Sequence, residues 1–190
     1  ARKLSNKIDH VYLVEGYMDV VGLYKNGIEN VVANLGTSLT DRQILILNQF
    51  FEDIVICFDG DESGYKAALR AAENSIKELK PEKYISFLFL PDGEDPDSFT
   101  DKNGKANFIN LSKQSKISIH QFIFNHYKQH TENNPSSMAI FEKKLRSIAA
   151  TIKDDYIKKY VLEFFLEKIS SLTPHSNIGK KQFYTKKIKS

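Results

Sequence analysis

Apolar and polar residues follow one rhythm through the first hundred positions of this chain and another after them. In the first part, short apolar runs are separated by longer segments with helical spacing. Val11-Tyr12-Leu13-Val14, Val31-Val32-Ala33-Asn34, Ile54-Val55-Ile56-Cys57-Phe58 and Ile85-Ser86-Phe87-Leu88-Phe89-Leu90 have the nearly continuous apolar character of strands buried on both faces. Between them, Met18 to Asn26 reads as a helix stopped by Gly27. Asp41 to Phe51 reads as a second helix, opened by a capping box of Thr40 with Gln43 and carrying Ile44, Leu45 and Leu47 on one face. A third, alanine-rich helix runs from about Gly64 to Leu79 and is stopped by Pro81. Strands joined by crossover helices predict an α/β fold: a mostly parallel, four-stranded, Rossmann-like sheet with flanking helices.

From about residue 103 the strand signals stop. Phe108, Ile109 and Leu111 suggest a short helix, and Ile119, Phe122 and Ile123 with His126 or Tyr127 suggest another. Asn134 and Pro135 form an N-cap and first-turn pair for a helix bearing Phe141, Leu145, Ile148 and Ile152. A last helix, Asp154 to about Leu172, carries Ile157, Val161, Phe164 and Phe165. The expected organisation is an α/β domain over residues 1–102, an all-α helical subdomain over 103–175, and a basic tail or linker over 176–190.

Composition narrows the class. The 190 residues are 41% hydrophobic and 27% charged, enough for a domain with a real core and an appended subdomain. No apolar run approaches the ~18 residues of a membrane span, and the first residues have no signal-peptide character. Lacking an initial Met, the chain reads as a piece of a longer cytoplasmic protein. Cys57, the single cysteine, lies inside a predicted strand, so neither a disulfide framework nor a cysteine metal site is expected. The net charge of +3 becomes −2 once Lys180, Lys181, Lys186, Lys187 and Lys189 are set aside. A globally basic protein that coats nucleic acid is thereby excluded.

The chemistry gathers where strands end. Asp59-Gly60-Asp61 follows the third strand, at the edge where open α/β sheets place ligands. Two carboxylates so close repel each other unless a cation or a proton intervenes. Glu15 follows the first strand, Asp19 lies one helical turn beyond it, and Asp95 and Asp97 follow the fourth strand. Six carboxylates from three segments could serve Mg²⁺ ions that each take one or two of them. A pair of ions ~3.5–4 Å apart suits phosphoryl or nucleotidyl transfer.

Several other readings of these residues compete. Asp59, Asp61, Ser63 and Gly64 occupy the first, third, fifth and sixth positions of an EF-hand loop, but Arg70 stands where its bidentate Glu belongs. A haloacid-dehalogenase phosphatase would follow its second Asp with Gly and Thr or Val, not Glu62-Ser63-Gly64. His126 and His130 have the spacing of helical zinc ligands, with His120 nearby. No Glu follows His126, so they read as interface or surface residues and no zinc is expected. Lys66 and Arg70 share a helix face beyond the acidic loop, where they could bind nucleotide phosphates or pair with Glu62 or Glu73. Tyr17 could stack on a base or simply pack.

Taken together, the acidic segments resemble the Toprim domain, in particular that of bacterial replicative primases. The likeness rests on Val14-Glu15-Gly16-Tyr17-Met18-Asp19-Val20, Leu35-Gly36-Thr37-Ser38-Leu39-Thr40, Phe58-Asp59-Gly60-Asp61 with Gly64 and Ala67-Ala68, and Leu90-Pro91-Asp92-Gly93-Glu94-Asp95-Pro96-Asp97. Order and spacing match through roughly residues 8–100, and the helical remainder looks like the C-terminal part of such a core. The resemblance implies synthesis of short RNA primers from ribonucleoside triphosphates on a single-stranded DNA template. It implies Glu15, Asp59 and Asp61 as core ligands of Mg²⁺ or Mn²⁺, with two ions or more bound. Asp95, Asp97 and Asp19 would help hold metal or nucleotide. One ion would activate the primer 3′-hydroxyl and the other would bind the triphosphate; Glu15 as a general base stays open. Zinc-binding, template-binding and helicase-binding domains of such primases do not fit in 190 residues. The expectation is therefore a replisome-associated fragment, weak or inactive alone, that meets the replicative helicase through a domain absent here. A Toprim nuclease, a topoisomerase fragment with no assignable catalytic tyrosine, and a non-catalytic docking module remain the alternatives.

Overall fold

The structure, a computed structural model, describes residues 10–34 and 39–172. Strands β1 (His10–Val14), β2 (Val31–Ala33), β3 (Asp53–Gly60) and β4 (Tyr84–Asp92) alternate with helices α1 (Tyr17–Lys25), α2 (Asp41–Phe50) and α3 (Glu62–Ser75), the last running into a 3₁₀ turn, Ile76–Glu78. Then come α4 (Pro96–Ser115), β5 (Ile117–Ser118), α5 (Ile119–Gln129), α6 (Pro135–Ala150) and α7 (Asp155–Leu172). Gly104, at φ 77°, interrupts α4, a backbone region that glycine enters without a steric cost. Among the described residues no helix is long and apolar enough to cross a membrane.

The sheet order is β2-β1-β3-β4-β5, with the first four strands parallel. The expected four-stranded sheet thus gains a fifth member: β5 pairs antiparallel with β4 through Ser86–Ser118 and Phe87–Ile117. Two residues are too few to carry a period-2 signal, so this edge strand was invisible in the hydrophobic pattern. A second correction concerns β3, which continues past Phe58 to include Asp59 and Gly60. Gly60 permits this, because a Cβ there would lie 2.1 Å from the carbonyl oxygen of Pro91 on β4.

Strand residues alternate between two cores, as the pleat requires. Val11, Leu13, Ile54, Ile56, Phe58, Ile85 and Phe87 face one side, where α2, α3 and α5–α7 pack in a single cluster. Tyr12, Val14, Val55, Cys57, Leu88 and Leu90 face the other, against Leu23 of α1 and Phe99 and Phe108 of α4. Full burial of Phe87, Phe108 or Phe165 contributes roughly 1.5–3 kcal/mol each. Helices α5–α7 therefore share a core with one face of the sheet. An ion pair reinforces the joint: Glu78, 2% exposed, meets the solvent-exposed Lys153, whose backbone N–H also donates to the Lys77 carbonyl at 3.1 Å.

Local signals behave as their chemistry demands. Gly27 takes φ 81° and the Ile28 N–H reaches back to the Leu23 carbonyl at 2.9 Å, closing α1. Thr40 and Gln43 form the capping box of α2, with the Thr40 N–H donating to the Gln43 side chain at 2.8 Å. Asn134 caps α6 through the Ser137 N–H at 2.9 Å. The motif residues Leu35-Gly36-Thr37-Ser38 and the lysine-rich segment 176–190 lie outside the described residues.

Candidate metal centre

Three helices begin at the C-terminal edge of the sheet, and acidic side chains serve their first turns. Asp61 is the N-cap of α3, its Oδ1 accepting the Gly64 N–H at 2.6 Å. Asp95 is the N-cap of α4 and accepts the Ser98 N–H at 2.7 Å, with Pro96 in the first turn. Asp19 reaches back from the first turn of α1 to accept the Gly16 N–H at 2.9 Å. The partial positive charge at each helix start favours these carboxylates. The sequence motifs point Asp61 to metal and Asp19 and Asp95 to metal or nucleotide; the Asp-Pro pair at Asp95 and the Asp61–Gly64 spacing also signal caps.

Asp59 stands apart. It sits on β3 with the parity of Cys57, which faces α1 and α4. Glu15 continues β1 with the parity of Leu13, which faces α3. Burial together with the charges of Glu15, Asp19, Asp95 and Asp61 pushes the Asp59 carboxyl up to about 6. Glu15 is raised by loss of hydration and by Asp19 and Asp61, against the opposing pull of the Arg70 guanidinium. Asp19 is raised by burial, although the Gly16 N–H holds it down, and by Asp95 and Asp97. These couplings tie Glu15, Asp19, Asp59, Asp61, Asp95 and Asp97 into one electrostatic unit, with Asp59 as its hub.

Gly22 brings α1 onto this corner. A Cβ at Gly22 would fall 1.9 Å from the Asp97 Oδ1, so only glycine leaves room for that carboxylate as it stands. Among the described residues no three His, Cys, Asp or Glu side chains are grouped tightly enough to enclose an ion by themselves. The donor set nevertheless fits Mg²⁺ or Mn²⁺. It is all oxygen, and such ions take one or two carboxylates and complete their shells with water and phosphate.

Beside Glu15 opens a cavity of about 270 Å³, floored by Leu13, Ile56 and Phe58 and edged by Asn34 and Arg70. The Gln43 side chain donates to Asn34 Oδ1 at 2.5 Å. Arg70 thus lines the cavity with Glu15, whereas Lys66 pairs with Glu62 at 2.6 Å on an exposed surface. Asn34 was read only as the end of a strand; its place on the ligand edge of the sheet was the available signal. The histidines lie elsewhere. His126 Nδ1 is 3.0 Å from the Tyr65 hydroxyl, and His120 stands edge-on to Phe164 at 4.7 Å.

Comparison with known proteins bears on the fold and the family. A Toprim domain family model matches residues 9–88. The DNA primase of Rickettsia felis is 36% identical over 166 residues, which make up 87% of this chain and 28% of that protein. A crystal structure of a DNA primase domain from Pseudomonas aeruginosa superposes with a TM-score of 0.82 at 31% identity, covering 91% of this chain and 53% of the other. A DnaG primase catalytic domain bound to single-stranded DNA superposes with a TM-score of 0.80 at 30% identity, covering 87% and 54% of the two chains. The chain spans between about a fifth and a third of the length of the curated relatives it matches, 28% for that of Rickettsia felis and 19% for that of Pseudomonas aeruginosa.

Proposed function

Residues 9–88 are a Toprim domain with homologues among DNA primases, and from that premise we propose that this chain is part of a primase catalytic core. The reaction is synthesis of short RNA primers on single-stranded DNA from ribonucleoside triphosphates, in the bacterial cytoplasm at the replisome. A neighbouring structure with single-stranded DNA bound to it supports the template. The replicative helicase would be met through a domain outside this chain. Residues 1–102 form the catalytic unit in this reading, and 103–175 its helical support.

Asp59 carries the proposal. A carboxyl lifted to about 6 by burial and, beyond that, by the charges of Glu15, Asp19, Asp95 and Asp61 is a group short of positive charge. Glu15 and Asp61 would hold a cation with Asp59 on the α3 side. Asp19, Asp95 and Asp97 would hold one on the side of α1 and α4. When bound, Mg²⁺ or Mn²⁺ supplies activation of the attacking hydroxyl and neutralises charge on the departing pyrophosphate. Arg70, on the cavity edge beside Glu15, is placed to meet the triphosphate.

Titration of this chain with Mn²⁺, followed by electron paramagnetic resonance, tests the reading. Binding that weakens at least about tenfold in Asp59→Asn is expected. Binding unchanged in both Asp59→Asn and Asp61→Asn would overturn it. Primer synthesis by this chain alone is expected to be weak or undetectable.

A further inference from the structure

Helix α3 starts at the acidic corner and is gripped, one turn later, by the helical half of the molecule. Asp61 caps its first turn, and the Tyr65 N–H donates to the Asp61 carbonyl at 3.0 Å. Gly64, between them, lies directly on β3: a Cβ at this position would stand 2.4 Å from the Asp59 carbonyl oxygen and 3.1 Å from its nitrogen. No side chain fits that gap, so displacement of the turn toward β3 presses on the backbone of Asp59. Both candidate ligands of β3 and α3 therefore move with one helical turn.

The Tyr65 ring leaves that turn toward α5. It meets Phe122 edge-on at 5.4 Å, Phe89 at 6.0 Å and His126 at 5.8 Å, and its hydroxyl is 3.0 Å from His126 Nδ1. Phe122 is 3% exposed and packs in turn on Phe87 and Phe89. Further along α3, Glu73 accepts from the Tyr127 hydroxyl at 2.5 Å and from Lys144 at 3.4 Å, fixing the helix against α5 and α6. The clamp has two points, one of them within a single turn of the acidic corner.

We propose that Tyr65 is a positioning residue, through which α5 sets the placement of Asp61 and Asp59 for cation binding. The inference rests on the metal-centre reading above and assigns the helical half a part in it. Tyr65 touches neither metal nor nucleotide; it acts by holding the turn that Asp61 caps. Outer-layer partners of metal ligands typically change affinity by about 10–100-fold, and a contact one layer further out should act less strongly.

The test compares Mn²⁺ affinity with thermal stability in this chain. Tyr65→Leu should weaken Mn²⁺ binding about three- to tenfold, and Tyr65→Phe, which loses only the hydroxyl, by less. Val161→Ala, a truncation of a buried side chain on α7, should lower the thermal midpoint while leaving affinity unchanged. A role confined to stability predicts instead that affinity is equal in all three folded variants, and that result overturns the proposal. So does a loss of affinity in Val161→Ala as large as that in Tyr65→Leu. Should Tyr65→Leu not fold, Tyr65→Phe and His126→Phe decide by the same criteria. Failure of the metal reading is distinguishable: the unaltered chain would then bind no Mn²⁺, and the positioning role would fall with it. Binding that is lost in Asp59→Asn but untouched at Tyr65 removes the positioning role alone.

Discussion

Either side of the first turn of α3, the molecule treats polar and apolar groups in opposite ways. On the seam side, Tyr65, Phe87, Phe89 and Phe122 pack with ring centroids between 5.1 and 6.0 Å, and the polar tips of Tyr65 and Tyr127 are paired with His126 and Glu73. On the corner side, six carboxylates converge and three of them already accept backbone N–H groups. Asp59 shares their charge and is forced upward in pKa. The seam is complete in the protein alone. The corner gathers like charges whose repulsion a cation or a proton would relieve. On the proposed reading, that unmet charge is what a bound ligand would complete.

Truncation should therefore have opposite signs in the two regions. Phe122→Ala removes a ring that is 3% exposed and touches three other aromatics, and is expected to cost about 3–5 kcal/mol in urea unfolding. Asp59→Asn should instead raise the stability of the metal-free chain at neutral pH, by less than about 1 kcal/mol because solvent screens the corner. Destabilisation by Asp59→Asn would mean that its charge is already compensated, and the contrast between the regions would collapse.

Acidity sharpens the same contrast. With a folded pKa of about 6 against an ordinary value of 3.8, Asp59 keeps its proton in the native state after the unfolded chain has lost it. Native stability from this group is accordingly lost as pH rises from about 4 through 6. The stability of wild type minus that of Asp59→Asn should fall across this window, and saturating Mn²⁺ should abolish the fall. In the helical half, where His120 stands against Phe164, burial holds this imidazole below its ordinary 6.5, so its contribution is present above that pH and lost as pH falls through it. His120→Asn should flatten the acid side of the unfolding profile. Matching slopes at Asp59 and His120 would contradict both assignments.

The sequence made the sheet and its acidic edge legible because each depends on short-range patterns. Apolar runs of four to six residues gave the parallel strands, and position after a strand gave Glu15, Asp59 and Asp95. What stayed hidden depends on contact. The pairing of Ile117–Ser118 with β4 needs a partner strand, not a period. The extension of β3 through Asp59 relies on a close approach at Gly60 that only the neighbouring strand defines. Tyr65 gave no signal at all, since a tyrosine on a helix acquires its meaning from Phe122 and His126, more than fifty residues away in the chain. Capping was readable at Thr40 and Asn134, and the same logic applies to Asp61 and Asp95 once their acidic character is not given to metal alone.

The smallest effect separates two cations that looked equivalent on one helix face. Lys66 is bound 2.6 Å from Glu62, with both side chains largely exposed, a pair that adds little to stability. Lys66→Ala should cost little in unfolding and leave Mn²⁺-dependent binding of ATP unchanged. Arg70 edges the cavity that Glu15 shares, and its charge opposes the rise in the Glu15 carboxyl. Arg70→Ala should weaken ATP binding about tenfold, as expected for loss of a guanidinium–phosphate contact, while sparing Mn²⁺ affinity measured without nucleotide. Equal losses in the two variants would place the triphosphate over the whole exposed face of α3. A loss in Arg70→Ala alone confines it to the corner, because of the two cations only Arg70 lies within the electrostatic reach of Glu15.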